Sequence, residues 1–263
     1  HKSFPHGTFF FGKDSHQTNI PQNELIDPTS SWTPLQRTLL DDSDINIEEE
    51  KKRCASYNWE LPHYNNETKL LQRRRLFCGA MIANDSKEVL QAISTEAYNI
   101  FHTVEFIESN YTPNLSPRNW TYFGSKDASQ KLHMIQQLFG RDTKVSIDYY
   151  VPLLENVRDV PPMSIEDFHR EGFSHRWKMN GMRPDDVGIV IDPDEMITRD
   201  FLRALQVCDV PQFRQDEQDC KAPKIITSTL IFESSPECAW KDRRGFHPDA
   251  VLGKCIDQIG STV

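Results

Sequence analysis

The sequence of 263 residues predicts an α/β fold in which a mostly parallel sheet is flanked by helices. From residue 73 onward, segments of strand character alternate with segments of helical periodicity, which is the pattern of βαβ units. The segment 187–191 is short, apolar and mostly β-branched, as an interior strand of a parallel sheet is. Carboxylates follow it at once, and ligands of open α/β sheets bind at the carboxyl ends of strands.

Residues 1–72 differ from the rest and predict an irregular N-terminal arm or stem remnant. They are rich in Pro, Asn, Asp and Ser, and an acidic run at 41–50 precedes a basic one at 51–53. We interpret that run as a solvated loop or helix face. Aromatic side chains indicate that parts of the arm are held against the main domain, which we place at 73–263: Phe9, Phe10, Phe11, Trp32, Tyr57 and Trp59.

The main domain divides into alternating elements. Strands are expected at 76–82, 103–107, 144–151, 187–191 and 225–232. Helices are expected from a cap at Ser86 to about residue 98, then at 128–139, 165–179 and 197–207. Gly140 marks the end of the second helix, since glycine favours the conformation that terminates helices.

Composition argues against several classes of function. The net charge of −9 does not favour general affinity for nucleic acid or anionic membranes. No apolar run approaches the roughly 18 residues of a membrane span. The chain starts at His1 without a signal-peptide pattern, so we expect any membrane anchor to lie upstream. Dinucleotide-binding, P-loop and α/β-hydrolase motifs are also missing from the sequence.

Cysteines and glycosylation signals point to the lumen of the secretory pathway. None of the six cysteines forms a Cys-x-x-Cys pair, so a zinc site is not indicated. The even number allows three disulfides, and we expect the pairs Cys208–Cys220 and Cys238–Cys255. Five Asn-x-Ser/Thr sequons begin at Asn66, Asn84, Asn110, Asn114 and Asn119.

Three carboxylates follow the predicted strand at 187–191: Asp192, Asp194 and Glu195. Carboxylate oxygens suit Mg²⁺ or Mn²⁺, and such an ion can hold a diphosphate. The simpler alternative is a solvated turn in which Asp194 or Glu195 caps the following helix.

Two sequence blocks occur in a fixed order. The first is Val104-Glu-Phe-Ile-Glu-Ser-Asn-Tyr-Thr112, followed by Arg118 and Tyr122-Phe123. The second is Arg183-Pro-Asp-Asp-Val-Gly-Ile-Val-Ile-Asp-Pro-Asp-Glu195, followed by Arg199-Asp200. Together they resemble glycosyltransferase family 17, over roughly residues 74–235. That family includes the enzyme that adds the bisecting N-acetylglucosamine to the β-mannose of N-glycans, although the end of this chain departs from the animal enzymes.

The resemblance implies a GT-A-like, Rossmann-like fold over residues 73–263. It implies an inverting, metal-dependent transfer of N-acetylglucosamine from UDP-GlcNAc to a glycan or glycoprotein acceptor, such as the mannose of an N-glycan. The metal would be Mn²⁺ or Mg²⁺. The resemblance also implies a type II membrane protein of the Golgi lumen.

Candidate site residues follow from this reading. We expect Asp194 and then Asp192 to bind the metal, Glu195 to orient them or bind it, and His247 to supply a further ligand. Glu233 is the first candidate for the base, with Glu237 and Asp249 as alternatives. Asp192, Glu108 and Arg183 are candidates for contacts with the ribose or the diphosphate.

Each of these residues also has a structural interpretation. The carboxylates can lie on the surface, His247 can be a hydrogen-bonded loop histidine, and Glu108 can satisfy a turn. Arg183 can instead pair with Asp185 or Asp186. Two other functions stay open: a lumenal glycan-binding protein without turnover, and a metal-dependent hydrolase that uses the same carboxylates with Asp148 and His247.

Overall fold

A computed structural model describes residues 2–5, 7–12, 46–62, 73–83, 87–140, 142–214, 220, 225–227, 229–232, 239–245 and 248–258 of the chain. In chain order, its strands are β1 (Lys2–Phe4), β2 (Gly7–Phe10), β3 (Leu76–Ile82), β4 (Phe101–Ser109), β5 (Lys144–Pro152), β6 (Val187–Ile191), β7 (Ile225–Ile226), β8 (Thr229–Phe232), β9 (Ala239–Gly245) and β10 (Asp249–Leu252). Its helices are α1 (Ile47–Ser56), α2 (Lys87–Ala97), α3 (Ala128–Phe139), α4 (Leu154–Val157), α5 (Pro162–Met179), α6 (Arg199–Val207) and α7 (Pro211–Arg214), with a 3₁₀ helix at Gly253–Gln258.

One large sheet has the spatial order β1-β2-β5-β4-β3-β6-β10-β7, and β8 pairs with β9 separately. The four central strands, β5-β4-β3-β6, run parallel. The strands outside them, β1, β2, β10 and β7, pair antiparallel. The expected α/β class with parallel central strands is thus confirmed. The antiparallel strands at both edges of the sheet were not predicted.

Helices cover both faces of the sheet because its strand residues are apolar on both sides. Along β3, Leu76, Cys78 and Ala80 belong to a core cluster that also holds apolar residues of α2, α3 and α6. Phe77, between them, packs instead in a second cluster with Phe173 and other residues of α5. The two-residue alternation of strand side chains therefore creates a layered α/β/α arrangement.

Glycine allows α5 to lie close to the sheet. A Cβ atom at Gly188 of β6 would lie 2.1 Å from the ring of Trp177, and one at Gly79 of β3 would lie 2.6 Å from the ring of Phe173. Both distances are far shorter than a van der Waals contact. We infer that any larger residue at either position would displace α5 from its seat on the parallel strands.

The described parts of the N-terminal arm include two strands and one helix. Strands β1 and β2 extend the large sheet beyond β5, and Phe9 is fully buried against α5. Helix α1 contains the end of the acidic run, and its Asn46 cap accepts a hydrogen bond from the backbone N–H of Glu48. Residues 225–232, expected as one strand, are divided between β7 and β8, which belong to different sheets.

The disulfides differ from the expected pairs. Cys54 of α1 is bonded to Cys208 at the end of α6, and Cys220 is bonded to Cys255. Cys78 is a free thiol in the core, where burial raises its pKa. The pairing expected for Cys238 is therefore also wrong, since Cys255 is already bonded, although Cys238 itself lies outside the described residues. Two disulfides fit a lumenal or secreted protein.

None of the helices in the described part of the chain combines the length and the apolar character that crossing a bilayer requires.

Candidate functional site

The order of the parallel strands reverses next to β3. The chain builds β3, β4 and β5 in one direction and then returns along α5 to add β6 on the other side of β3. In open α/β sheets, the crevice outside the carboxyl ends of strands at such a reversal is where ligands bind. Here it lies beyond Ile82 at the end of β3 and Ile191 at the end of β6, so the expected carboxylates fall at the reversal.

The three carboxylates that follow β6 have different environments. Asp194 is exposed, whereas Asp192 and Glu195 are half-buried. A carboxylate oxygen of Glu195 accepts a hydrogen bond of 2.9 Å from the backbone N–H of Asp192, and the backbone N–H of Glu195 donates to the Asp192 carbonyl. Glu195 therefore closes the turn and leaves Asp192 and Asp194 as the pair available to a ligand. The helix α6 that follows is capped by Thr198 and not, as the simpler alternative expected, by Asp194 or Glu195.

These two carboxylates fit a divalent ion that also binds phosphate. Within the described ranges, no three His, Cys, Asp or Glu side chains lie together as a metal site of their own. Mg²⁺ in phosphate-transfer sites is held by one or two carboxylates, with water and substrate phosphate completing its shell. A pair of carboxylates is thus a suitable donor set for a metal that arrives with a diphosphate.

Asp249 lies at the same edge of the sheet. It begins β10, which runs antiparallel to β6, and its register partner is Val190, two residues before Asp192. Val190 and Val251 both pack in the cluster beneath α5, so Asp249 lies on the α5 face of the sheet. Its side chain is almost fully buried. Of the three candidates for the base, Asp249 is therefore the one whose position beside the Asp192 turn is described.

A small cavity opens between this turn and the ends of β3 and β4. Its volume is about 160 Å³, and its walls include Met81, Ile107, Pro193 and His169 of α5. His169 is 3% exposed, and burial lowers its pKa to about 3, an effect to which Arg118 and Arg170 add. Its Nδ1 lies 3.2 Å from the sulfur of Met81, and its Nε2 makes no hydrogen bond within the described structure.

A larger cavity of about 720 Å³ adjoins the small one, because Ala83 and Arg118 line both. It is bordered by the loop between β4 and α3, including Trp120 and Phe123, and by Lys131 of α3. Its volume is in the range of cavities that hold cofactors and nucleotides. The two cavities form one groove along the carboxyl ends of β3 and β4, and Pro193, which lies between Asp192 and Asp194, lines its smaller part.

Arg118 fixes one wall of the groove. Its Nη2 donates a hydrogen bond of 3.2 Å to the carbonyl of Ile82, and its Nε donates to the carbonyl of Ser109. These carbonyls end β3 and β4, whose last backbone groups would otherwise need water. Arg118 thus ties the loop to the edge of the sheet, and this gives a structural reason for its place in the first of the two sequence blocks.

Glu108 supports the same loop through hydrogen bonds to its backbone. Its carboxylate accepts hydrogen bonds from the backbone N–H groups of Thr121, Tyr122 and Phe123, at 3.1 Å for Tyr122 and 3.0 Å for Phe123. It is only 1% exposed. Its contacts therefore correspond to the structural interpretation, a carboxylate that satisfies backbone donors, rather than to the expected contact with a ribose.

Arg183 lies at the opposite edge of the sheet from the carboxylates. It precedes β6, whose five residues separate it from Asp192 by about 16 Å in an extended strand. Because of this distance, the expected contact between Arg183 and the diphosphate does not fit the structure. The expected ion pair is also different: the Asp186 carboxylate pairs with Arg75, and Arg183 offers it the backbone N–H at 2.6 Å.

Other predicted residues lie outside the described structure or in its core. Glu233, Glu237 and His247 fall outside the described residues. Asp148, an alternative metal ligand, is fully buried in an ion pair with Arg176, which donates from Nε at 3.0 Å. Asp148 therefore serves the core and not the groove.

Searches of the chain against protein-family models and against curated proteins found no match. We therefore infer the function from the geometry of the groove and from the two sequence blocks.

Sequence reasoning missed His169 and the aromatic wall formed by Trp120 and Phe123 as parts of a cavity. His169 is one polar residue on a predicted helix, with no spacing that relates it to Asp192. Its position depends on the return of α5 over β3 and β4, which only the fold reveals. Trp120 and Phe123 lie within the first sequence block or just beside it, and that proximity was the available signal.

Proposed function

We propose that this protein is an inverting, metal-dependent glycosyltransferase that moves N-acetylglucosamine from UDP-GlcNAc to a glycan acceptor, such as the mannose of an N-glycan. The observation that carries the proposal is the position of Asp192 and Asp194 at the reversal of strand order, beside a groove of nucleotide size. The resemblance of the two sequence blocks to glycosyltransferase family 17 supplies the donor and the stereochemistry.

Asp194 and Asp192 would hold Mn²⁺ or Mg²⁺ in this proposal. When bound, the ion would neutralise the charge that develops on the leaving diphosphate. The hydrogen bond from the Asp192 backbone to Glu195 fixes the turn that presents both carboxylates. Glu195 would thus act as a positioning residue.

Inversion requires a base on the face of the sugar opposite the leaving diphosphate. The base takes the proton of the acceptor hydroxyl as that oxygen bonds to the anomeric carbon and the bond to the diphosphate breaks. Asp249 is the candidate whose location supports this role, since it borders the Asp192 turn on the α5 face. Glu233, Glu237 and His247 keep their proposed roles as further bases and a metal ligand.

A place in the Golgi lumen completes the proposal. The disulfides Cys54–Cys208 and Cys220–Cys255 support an oxidising compartment. The sequons point to the same compartment, and Asn114 has an exposed side chain.

The proposal is tested by calorimetric titration of UDP-GlcNAc into the protein with Mn²⁺ and again with EDTA. We expect binding with Mn²⁺ only, and a loss of at least about tenfold in affinity in Asp194→Asn, since one ligand of the ion loses its charge. Asp185→Asn is the matched control: it removes the same charge from an exposed residue at the other end of β6.

An equal loss of affinity for UDP-GlcNAc in Asp194→Asn and Asp185→Asn would indicate a general effect of charge and not a metal ligand at Asp194. Binding that is indifferent to EDTA would contradict metal dependence. An absence of binding in every condition would contradict the proposed donor. Tight binding followed by no release of UDP in the presence of any glycan acceptor would instead favour a glycan-binding protein without turnover.

A further inference from the structure

The small cavity beside Pro193 has an unusual combination of walls. Met81, Ile107 and Pro193 are among the residues that make most of its lining apolar, and the residues with polar groups that line it are Tyr111, Arg118 and His169. The Nε2 atom of His169 is buried and makes no hydrogen bond in the described part of the chain. Buried polar atoms normally have a partner, so one in a cavity wall indicates a ligand that supplies it.

The hydrogen bond on the other side of the ring defines what that ligand must offer. The Met81 sulfur can only accept, so the Nδ1 of His169, 3.2 Å away, carries the proton of the neutral ring. Nε2 then holds a lone pair and accepts. Burial keeps the ring neutral, since it lowers the pKa of His169 to about 3. The cavity therefore suits a group with an N–H or O–H donor.

The volume and the lining of the cavity limit which chemical group it can hold. A volume of about 160 Å³ corresponds to about five water molecules at their liquid volume, enough for a group of about four non-hydrogen atoms. The apolar walls favour a methyl group over a second polar one. A small group that joins an N–H donor to a methyl is an acetamido group.

We propose that this cavity is the subsite for the acetamido group of an N-acetylhexosamine, whose N–H donates to Nε2 of His169 while its methyl packs against Met81 and Ile107. The inference rests on the proposed function and deepens it. Pro193 in the wall lies between Asp192 and Asp194, so a sugar attached to a diphosphate at these carboxylates lies beside the cavity. His169 acts in binding and not in proton transfer, because a ring with so low an affinity for protons is a poor base.

The test compares ligands with and without the acetamido group. UDP, UDP-glucose and UDP-GlcNAc are titrated with Mn²⁺ into the wild-type chain and into His169→Phe, which keeps an aromatic ring against Tyr150 and removes Nε2. We expect the wild-type protein to prefer UDP-GlcNAc over UDP-glucose. His169→Phe should lose about tenfold of that preference, since one buried hydrogen bond is removed. Its affinity for UDP should change by less than about twofold.

A second arm separates the donor from the acceptor as the source of the acetamido group. With UDP and Mn²⁺ present, binding of N,N′-diacetylchitobiose is compared with that of cellobiose, which lacks the acetamido groups. A preference that depends on His169 in this arm alone assigns the cavity to the acceptor, and one in the first arm alone assigns it to the donor. A preference unchanged by His169→Phe in both arms, with UDP still bound, overturns the subsite and leaves the proposed function standing.

Two further outcomes are distinguishable. If the wild-type protein binds no UDP, the proposed function fails and the subsite fails with it. If His169→Phe does not fold, as judged by circular dichroism, the imidazole ¹⁵N resonances of the wild-type protein decide. The Nε2 resonance of one neutral histidine should move when UDP-GlcNAc is added and stay in place with UDP-glucose. Equal shifts with both sugars, or none with either, would overturn the subsite.

Discussion

At the scale of single residues, carboxylates at the carboxyl ends of two parallel strands, β4 and β6, have very different surroundings. Glu108 ends β4 in the core, where three backbone N–H groups surround its oxygens. Asp194 follows β6 in solvent. Both residues belong to the two sequence blocks. A carboxylate in such a block can support a loop or bind a ligand, and the sequence does not distinguish these two roles. Burial and hydrogen-bond partners are what separate the loop support from the candidate ligand.

Replacing Glu108 with Gln tests the supporting role. The side-chain amide places an NH₂ group against N–H donors, so at least one buried donor loses its acceptor. We expect the free energy of unfolding to fall by about 1–3 kcal/mol, measured by urea denaturation. Glu155→Gln, an exposed change on α4, is the control and should leave the urea midpoint in place. Equal midpoints for both variants would show that the loop does not depend on Glu108.

At the scale of elements, prediction succeeded where the local pattern determines the structure. β3, α3 and β6 have the predicted bounds because apolar periodicity and a terminal glycine fix them within their own sequence. β1 and β2 were missed because β2 pairs with β5, which is distant in sequence, and β1 pairs in turn with β2. Residues 225–232 were joined as one strand because a period of two does not identify a hydrogen-bond partner.

The two disulfides give a prediction about the elements that they connect. Cys54–Cys208 joins residues 154 positions apart and holds α1 against α6, whereas Cys220–Cys255 spans 35 positions. The chain-entropy model assigns about 5 kcal/mol to the first and about 4 kcal/mol to the second, as upper values. We expect Cys54→Ala/Cys208→Ala to lower the free energy of unfolding more than Cys220→Ala/Cys255→Ala does.

Urea unfolding under oxidising conditions measures both variants, and the same experiment with dithiothreitol is the control. In the reductant, the wild-type protein loses the same disulfides. The difference in free energy of unfolding between the wild-type protein and each variant should therefore become smaller. A larger effect from the 35-residue pair would contradict the entropic ranking. It would point to stabilisation by the local packing around Cys255.

At the scale of the whole molecule, the candidate site exists because distant segments meet. The candidate pair of carboxylates could be located from sequence because Asp192 and Asp194 directly follow one strand. Asp249 and His169 come from β10 and α5, and only the sheet order brings them to the same edge. The error over Arg183 has the same origin, since a residue before a strand and one after it are close in sequence and far apart in space.

The N-terminal hairpin, β4, β5 and α5 also meet, in a buried network of charges. Arg176 of α5 pairs with Asp148 of β5 and donates at 2.8 Å to the carbonyl of Gly12, whose N–H donates at 2.7 Å to Asp148. Glu105 of β4 lies 3.6 Å from Arg176 and accepts a hydrogen bond from Ser146. Two carboxylates thus share one guanidinium with no contact to solvent. Burial raises the pKa of Glu105 well above its ordinary value, and Asp148 raises it further, while Arg176 opposes both.

This shift gives the stability a defined dependence on pH. Because the pKa of Glu105 is raised from 4.5 on folding, its contribution is fully present below about pH 4.5 and is lost as the pH rises through the folded value. Glu105→Gln imitates the protonated carboxyl at every pH. We therefore expect the free energy of unfolding of this variant to increase relative to that of the wild-type protein as the pH rises above 4.5, measured from urea midpoints. Glu49→Gln, at an exposed position of α1, should follow the wild-type profile. Parallel profiles for Glu105→Gln and the wild-type protein would mean that Glu105 is ionised in the fold, with Arg176 compensating both carboxylates at once.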